Sequence, residues 1–459
     1  MRDETTQNMT ASEKRAVVGL AGVYGFRMLG LFLVLPVFAL FAERLPGATP
    51  FLTGLAVGIY GLTQAVLQIP FGLLSDRIGR KPVIFGGLLL FALGSIIAAL
   101  ADDVWLVIIG RAVQGSGAIA AAVMALAADL TREEHRTKAM ASIGITIGVS
   151  FMLAMLAGPL LGRLIGVSGI FWVTAALAVL GIAVVALVVP TPVQSRVHRD
   201  AETVPAMFRR VLHNGDLLRL DFGIFALHLI LTALFLAVPL VLRDVGLEPV
   251  QHTLLYLPVM VGSIAAMVPF IILAERRGLM KQVFLGAVAS LVVAQLALSL
   301  LIDHFWGLVA ALALFFTAFN LLEATLPSLV SKVAPVEAKG TAMGVYSTSQ
   351  FGGAFVGGVL GGWVHQEFGL AAVFGAGTLV AIVWLLLASG MRRPGRYASR
   401  LVNLSGMRGE PAGDLAARLR DVPGVVEAVV VVDEGVAYLK VDRDRFDDVA
   451  LDEIVARPA

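Results

Sequence analysis

Apolar runs alternate with short polar connections over most of this chain, from about residue 16 to residue 390. A bilayer-spanning helix needs roughly 20 mostly apolar residues. Twelve runs meet that length: about 16–42, 51–74, 82–101, 104–129, 139–162, 168–189, 219–242, 252–273, 281–302, 304–330, 340–364 and 369–390. Most connections are short, so consecutive helices should run antiparallel. The longest internal connection, about 190–218, carries Arg196, Arg199, Arg209 and Arg210 and a short amphipathic helix expected near Val204 to Leu212. It splits the spans six and six. This predicts an all-α membrane bundle of two pseudo-symmetric halves, 1–190 and 219–395, joined by a linker at 191–218.

The pattern changes after Gly395. Leu401 to Leu404, Val425 to Val432 and Val436 to Val441 read as strands, with a turn at Asp433-Glu434-Gly435. Gly413 to Asp421 and Phe446 to Val455 read as helices. The order βαββα predicts a small ferredoxin-like α+β domain over 396–459. It contains neither Cys nor His, so no soft-metal site is expected there. Asp442, Asp444, Asp447 and Asp448 read as a solvated acidic face.

Composition agrees with a membrane protein. The chain is 58% hydrophobic and 15% charged, too few charges to cover a water-soluble surface of this size. The absence of Cys excludes disulfides and thiol chemistry. Residues 1 to 400 hold 28 Lys and Arg against 21 Asp and Glu, whereas 401 to 459 hold 7 against 12. Loop charge is also uneven. The connections on the side of the N-terminus hold 23 Lys and Arg, and the opposite side only Arg44, Arg163 and Arg243. By the positive-inside rule both termini are expected in the cytoplasm, which in a bacterium implies a multi-pass protein of the inner membrane.

A charged turn, Gly72-Leu73-Leu74-Ser75-Asp76-Arg77-Ile78-Gly79-Arg80-Lys81, follows span 2. A weaker copy, Ala274-Glu275-Arg276-Arg277-Gly278, lies 199 positions later. Ala139-Met140, Gly158 and Phe171 map onto Ala342-Met343, Gly361 and Phe374 at a single offset of 203. Parallel six-span repeats describe a class of secondary transporter with its substrate cavity between the halves.

These segments also resemble a known family. The turn at Gly72 to Lys81 resembles the signature of the major facilitator superfamily between spans 2 and 3, and Arg111-Ala112-Val113-Gln114-Gly115-Ser116-Gly117 resembles its span-4 signature. Gly144, Gly148, Gly158-Pro159 and Gly162 resemble the span-5 signature of its drug:proton antiporter branch, with Arg163 standing where a second Gly is usual. Phe26-Arg27-Met28-Leu29-Gly30 with Pro36, Phe319-Asn320-Leu321-Leu322-Glu323-Ala324 with Pro327, and the acidic tail are similar to the YajR type, which carries a C-terminal YAM domain. The resemblance implies a proton-coupled transporter and a role for Arg111 in proton coupling.

Ionisable groups inside spans cost several kcal/mol unless paired or wet. Glu323 is the leading proton carrier, because a carboxyl held in apolar surroundings can load and release a proton near neutral pH. Arg27 and Arg111 are fixed cations suited to tuning a neighbouring carboxyl or holding helices together. His228 is a further titratable candidate. Gln64, Gln114, Asn320 and Gln350 are candidate substrate-binding side chains, although each suits an interhelical hydrogen bond equally well. Gly72, Asp76, Arg77, Gly79, Arg80, Lys81 and Asp129 form a candidate conformational latch. In it Asp76 is expected to face the N-terminus of span 11 and Arg80 to meet Asp129.

The expected function is proton-coupled export of drug-like or metabolite molecules by alternating access. Proton symport or facilitated uptake is one alternative, and a non-transporting sensor signalling through its tail another. No nucleophile triad, P-loop or metal cluster is present, so enzymatic and ATP-driven activity are not expected. Expected partners are a small-molecule substrate, protons and lipid, with ligand binding or self-association through the tail, and no cofactor or nucleic acid.

Overall fold

The computed structural model describes residues 9–192, 205–392, 397–404, 411–431, 435–442 and 445–456. The expected turn at Asp433-Glu434, the acidic Asp444 and linker residues 193–204 lie outside them.

Twelve spans are present among the described residues. Ten helical stretches are long and apolar enough to cross a membrane. One of these, Lys138–Leu187, holds two spans, because Gly166 adopts φ 69°, ψ 174° and turns the chain. That left-handed conformation suits a residue without Cβ. Lys339–Phe368, rich in glycine, completes the set. Span 1 is broken at Val34 into Ala11–Leu33 and Leu35–Ala42. Pro36 cannot donate its missing N–H to the preceding turn, which favours a break there. Span 4 is likewise two helices, Val104–Gly115 and Ala120–Asp129, rather than one. The remaining spans are Pro50–Ile78 (span 2), Arg80–Ala99 (3), Gly215–Asp244 (7), His252–Arg276 (8), Met280–Leu300 (9), Phe305–Val333 (10) and Leu370–Ser389 (12).

The two halves repeat each other's packing. Span 1 lies on span 5 as span 7 lies on span 11, span 3 on span 6 as span 9 on span 12, and span 2 on span 4 as span 8 on span 10. Small residues allow close approach: Ser150 donates to the Gly25 carbonyl at 3.0 Å between spans 5 and 1. Across the halves, spans 2 and 11 meet most closely. A Cβ on Gly54 would fall 2.1 Å from the Gly358 carbonyl oxygen.

One face of the bundle carries the start of span 1 and the tail domain, and is here termed the tail side. Glu13 caps the first helix through Thr10 and accepts from the Arg132 backbone N–H at 2.8 Å and guanidinium at 3.0 Å. This ties span 1 to the connection between spans 4 and 5.

The tail is a three-stranded antiparallel sheet of order β1-β3-β2, with β1 Tyr397–Asn403, β2 Val425–Val431 and β3 Val436–Asp442. Helices Ala412–Arg420 and Asp448–Ala456 accompany it. Leu415, Leu419, Ala437, Leu439 and Leu451 are buried in its own small core. The sheet also receives Val336, from the turn before span 11, against Val431, Val436 and Tyr438. Lys440 Nζ donates to the Ala334 carbonyl at 3.4 Å, and Arg210 of the linker pairs with Glu427 at 3.4 Å. Burial at this contact lowers the Lys440 ammonium below its ordinary pKa.

Candidate functional site

Each half contributes a distinct polar cluster at mid-depth. In the N-terminal half, Arg27 on span 1 is fully buried and donates from Nη2 to Gln64 Oε1 at 2.6 Å and to the Gly117 carbonyl at 3.0 Å. The break in span 4 leaves that carbonyl outside a regular helix. Gln64 in turn donates to Gln68 at 3.2 Å. Arg111 donates to Gln114 Oε1 at 2.5 Å and to the Ala56 carbonyl at 3.4 Å, and its guanidinium lies 5.0 Å from the Tyr60 ring centroid. Gln114 passes the chain on to Ser95 at 2.8 Å. Both arginines are thus held by neutral oxygens and aromatic faces, a setting in which a cation costs less than in bare hydrocarbon.

Gln64 and Gln114, for which ligand contact and an interhelical bond were both open, are buried inside the N-terminal half. The physical reason is that each amide oxygen is needed to receive a guanidinium. Tyr60 and Ser95, which complete the network, were not singled out from sequence. A Tyr or Ser on an apolar helix carries no signal until the helices are assembled.

The C-terminal half holds the acid. Gln350 Nε2 on span 11 stands 2.9 Å from His228 Nε2 on span 7 and donates to Glu323 Oε1 on span 10 at 3.3 Å. His228 Nε2 and Glu323 Oε2 are 4.0 Å apart. The Glu323 side chain is 35% exposed, while its partners lie on spans 7 and 11, so it projects toward the bundle interior rather than away from it. Phe319, one turn earlier, packs its ring 6.2 Å from His228. Asn320 points elsewhere and donates to Ser263 on span 8 at 3.1 Å. Three of the predicted residues, Glu323, His228 and Gln350, are thereby brought together, and Asn320 is parted from them.

At the tail side the charged turn is an ordered network. Gly79 has φ 97°, and Gly72 abuts span 4, where an added Cβ would sit 3.1 Å from Ala121. Arg80 is buried and bonds Asp76, Ser75 Oγ at 2.8 Å and Asp129 at 3.4 Å. Lys81 donates to the Val189 carbonyl at 2.6 Å, and Arg77 is exposed. The described bonds of Asp76 go to Arg80 within its own half. The expected contact with the start of span 11 is not among them. In the span-5 motif, Gly158 and Gly162 receive Pro36 and Val37 of span 1, Pro159 lies within the helix, and Gly148 has open space beside its Cα.

Polar and ring contacts join the halves at mid-depth and on the far side. Arg243 of span 7 bonds Glu43 of span 1, and Thr253 of span 8 donates to the Leu156 carbonyl of span 5 at 3.1 Å. Phe151 meets Phe235 and Phe319 at centroid distances of 6.1 and 5.9 Å. A cavity of 260 Å³ remains between the halves there, lined by Glu43, Thr49, Thr53, Leu236, Leu240 and His365.

Two six-span repeats, each with its own polar cluster at mid-depth, define a membrane transport protein rather than an enzyme. Comparison with known proteins agrees. The sequence matches the Major Facilitator Superfamily over residues 20–356 and 220–422. It is 49% identical over 435 residues, 95% of each chain, to the inner membrane transport protein YajR of Escherichia coli. It is 24% identical over 377 residues, 78% of this chain and 91% of the other, to the multidrug resistance protein MdtH of Yersinia pestis. The human organic anion transporter MFSD10 superposes with a TM-score of 0.62 at 19% identity, covering 83% of this chain and 100% of that one. The chain therefore belongs to the Major Facilitator Superfamily and is a multi-pass membrane protein.

Proposed function

We propose that the protein is a proton-coupled secondary transporter that exports drug-like or metabolite molecules by alternating access. The observation that carries this reading is the Glu323–Gln350–His228 cluster, an acid within the bundle held by spans 7, 10 and 11. A proton arriving at Glu323 removes its charge, which changes what Gln350 and His228 must satisfy and biases one arrangement of the helices over another. Arg27 and Arg111, sealed in the opposite half, supply a fixed positive field on the other wall of the chamber.

The tail side is assigned to the cytoplasm by its excess of Lys and Arg. The far-side contacts then lie toward the outside of the cell. The latch reading follows. Asp76 is held by Arg80 in this arrangement, and it engages the start of span 11 when the halves rock together on the tail side. Similarity to a multidrug resistance protein supports drug-like substrates.

The test is flux in proteoliposomes under an imposed proton gradient. Substrate extrusion from the tail-side compartment that collapses in E323Q supports the reading. Accumulation in the proton's direction would assign symport, and ligand binding without movement would assign a sensor.

A further inference from the structure

Among its described residues, the N-terminal half buries two positive charges at mid-depth and no negative one. Arg27 is 0% exposed and Arg111 2% exposed. Arginine keeps its proton in such a setting, so both remain cations. Every Asp and Glu described in that half stands at one end of it. Glu13, Asp76, Asp129 and the Glu133-Glu134 pair lie on the tail side, and Glu43, Asp102 and Asp103 on the far side. Of these, Glu13 is taken by Arg132, Asp76 and Asp129 by Arg80, and Glu43 by Arg243. Glu323, the acid of the other half, has its described contacts on spans 7 and 11.

Arg27 is also short of acceptors. A guanidinium carries five N–H donors. Arg27 makes both of its described hydrogen bonds from Nη2, to Gln64 and to the Gly117 carbonyl, and leaves Nε and Nη1 without a partner among the described residues. Its Cζ lies 5.5 Å from the Phe91 ring centroid and 6.0 Å from that of Tyr60. Ring faces lower the cost of the charge, but they do not replace the hydrogen bonds that a buried donor loses. Arg111 approaches the same Tyr60 ring, at 5.0 Å. Tyr60 is 3% exposed, and its hydroxyl too has no partner among the described residues. Unused donors and uncompensated positive charge thus coincide, and a buried cation is stable only where both needs are met. Tyr60 also meets Phe351 of span 11 with ring centroids 6.4 Å apart, which puts this place at the seam between the halves.

We infer that Arg27, with Arg111 and Tyr60 beside it, is a binding site for one small anion, either the carboxylate of a transported molecule or a halide such as chloride. This deepens the transport reading and rests on it only for the source of the anion. The anion accepts from the unused Arg27 donors and from the Tyr60 hydroxyl, while Gln64 holds the guanidinium in place. Those donors are out of solvent in this arrangement, so the anion enters when the halves part along spans 2 and 11.

The test is equilibrium binding to the purified full chain in detergent and zwitterionic buffer. Radiolabelled chloride and radiolabelled benzoate are the probes, and neutral benzamide is the control. Saturable binding of one anion per chain is expected. R27Q should weaken it at least about thirtyfold. Y60F deletes a hydroxyl that has no described partner, so it should leave the fold intact and weaken binding about tenfold. Benzoate that binds and is displaced by chloride but not by benzamide assigns a carboxylate-bearing ligand, and chloride binding alone assigns an inorganic anion. The inference is overturned if neither probe binds the wild type, or if the affinity is the same in R27Q, or in Y60F should R27Q not accumulate. No gradient or flux enters this readout. Its failure therefore leaves the E323Q flux test standing, and failure of that test leaves the anion site standing.

Discussion

The closest approach between the halves gives the sharpest prediction. Replacing Gly54 by Ala places a Cβ 2.1 Å from the Gly358 carbonyl oxygen and 2.9 Å from Gly362 Cα. Both neighbours are backbone, so no side chain can swing aside. An unstrained carbon–oxygen contact needs roughly 1 Å more, and close-packed helices yield by moving apart as bodies. Overpacking of this kind costs about 1–3 kcal/mol. Here the cost falls only on the arrangement in which spans 2 and 11 touch on the far side. A bias of that size shifts the two-state equilibrium about 5- to 150-fold toward the form open on the far side. The native chain has no Cys, so a single cysteine placed at Leu236, which lines the far-side cavity, reports that opening cleanly. The G54A background should raise its labelling rate by a membrane-impermeant maleimide by at least about fivefold. An unchanged rate, with the protein present in the membrane at normal amounts, would refute the reasoning.

Other outcomes follow from the same geometry. E43Q should open the far side in the same assay but more weakly, by at most about fivefold, because both members of the Glu43–Arg243 pair are 42% exposed and such pairs contribute about 0–1 kcal/mol. R80Q takes the cation from a pair whose Asp129 side chain is 1% exposed, so thermal unfolding in detergent should show a loss of about 3 kcal/mol, partly restored by adding D129N. V336D should release the tail from the turn before span 11, seen as faster amide exchange in β2 and β3, while the tail's own core around Leu439 stays protected. Burial lowers the Lys440 pKa, so the docked form binds fewer protons than the released form. Docking should therefore tighten as pH rises from the docked toward the ordinary lysine value, and that trend should vanish in K440M.

Much of this architecture is legible because lipid imposes a simple grammar. Backbone groups in hydrocarbon must be satisfied internally, so apolar runs become helices, and a turn such as Gly166 is marked by the glycine it needs. The breaks in spans 1 and 4 were less legible. Pro36 signals the first, but span 4 parts at Ser116 to Ile119 for reasons of assembly, where the Gly117 carbonyl meets Arg27. The acid cluster was legible because Glu323 is costly in its setting. Gln64 and Gln114 stayed between two roles because an amide suits a ligand or a neighbouring helix equally, and only the packed bundle shows the arginines bonded to them.

The central claim is that a proton on Glu323 drives movement of substrate between two arrangements of the halves. The most direct measurement follows a ligand identified by a binding screen, in proteoliposomes, first as exchange without a gradient and then as net flux with one. The account predicts that a proton gradient accelerates wild-type net flux and that E323Q keeps exchange while losing that acceleration. Gradient-driven flux in E323Q equal to wild type would contradict it.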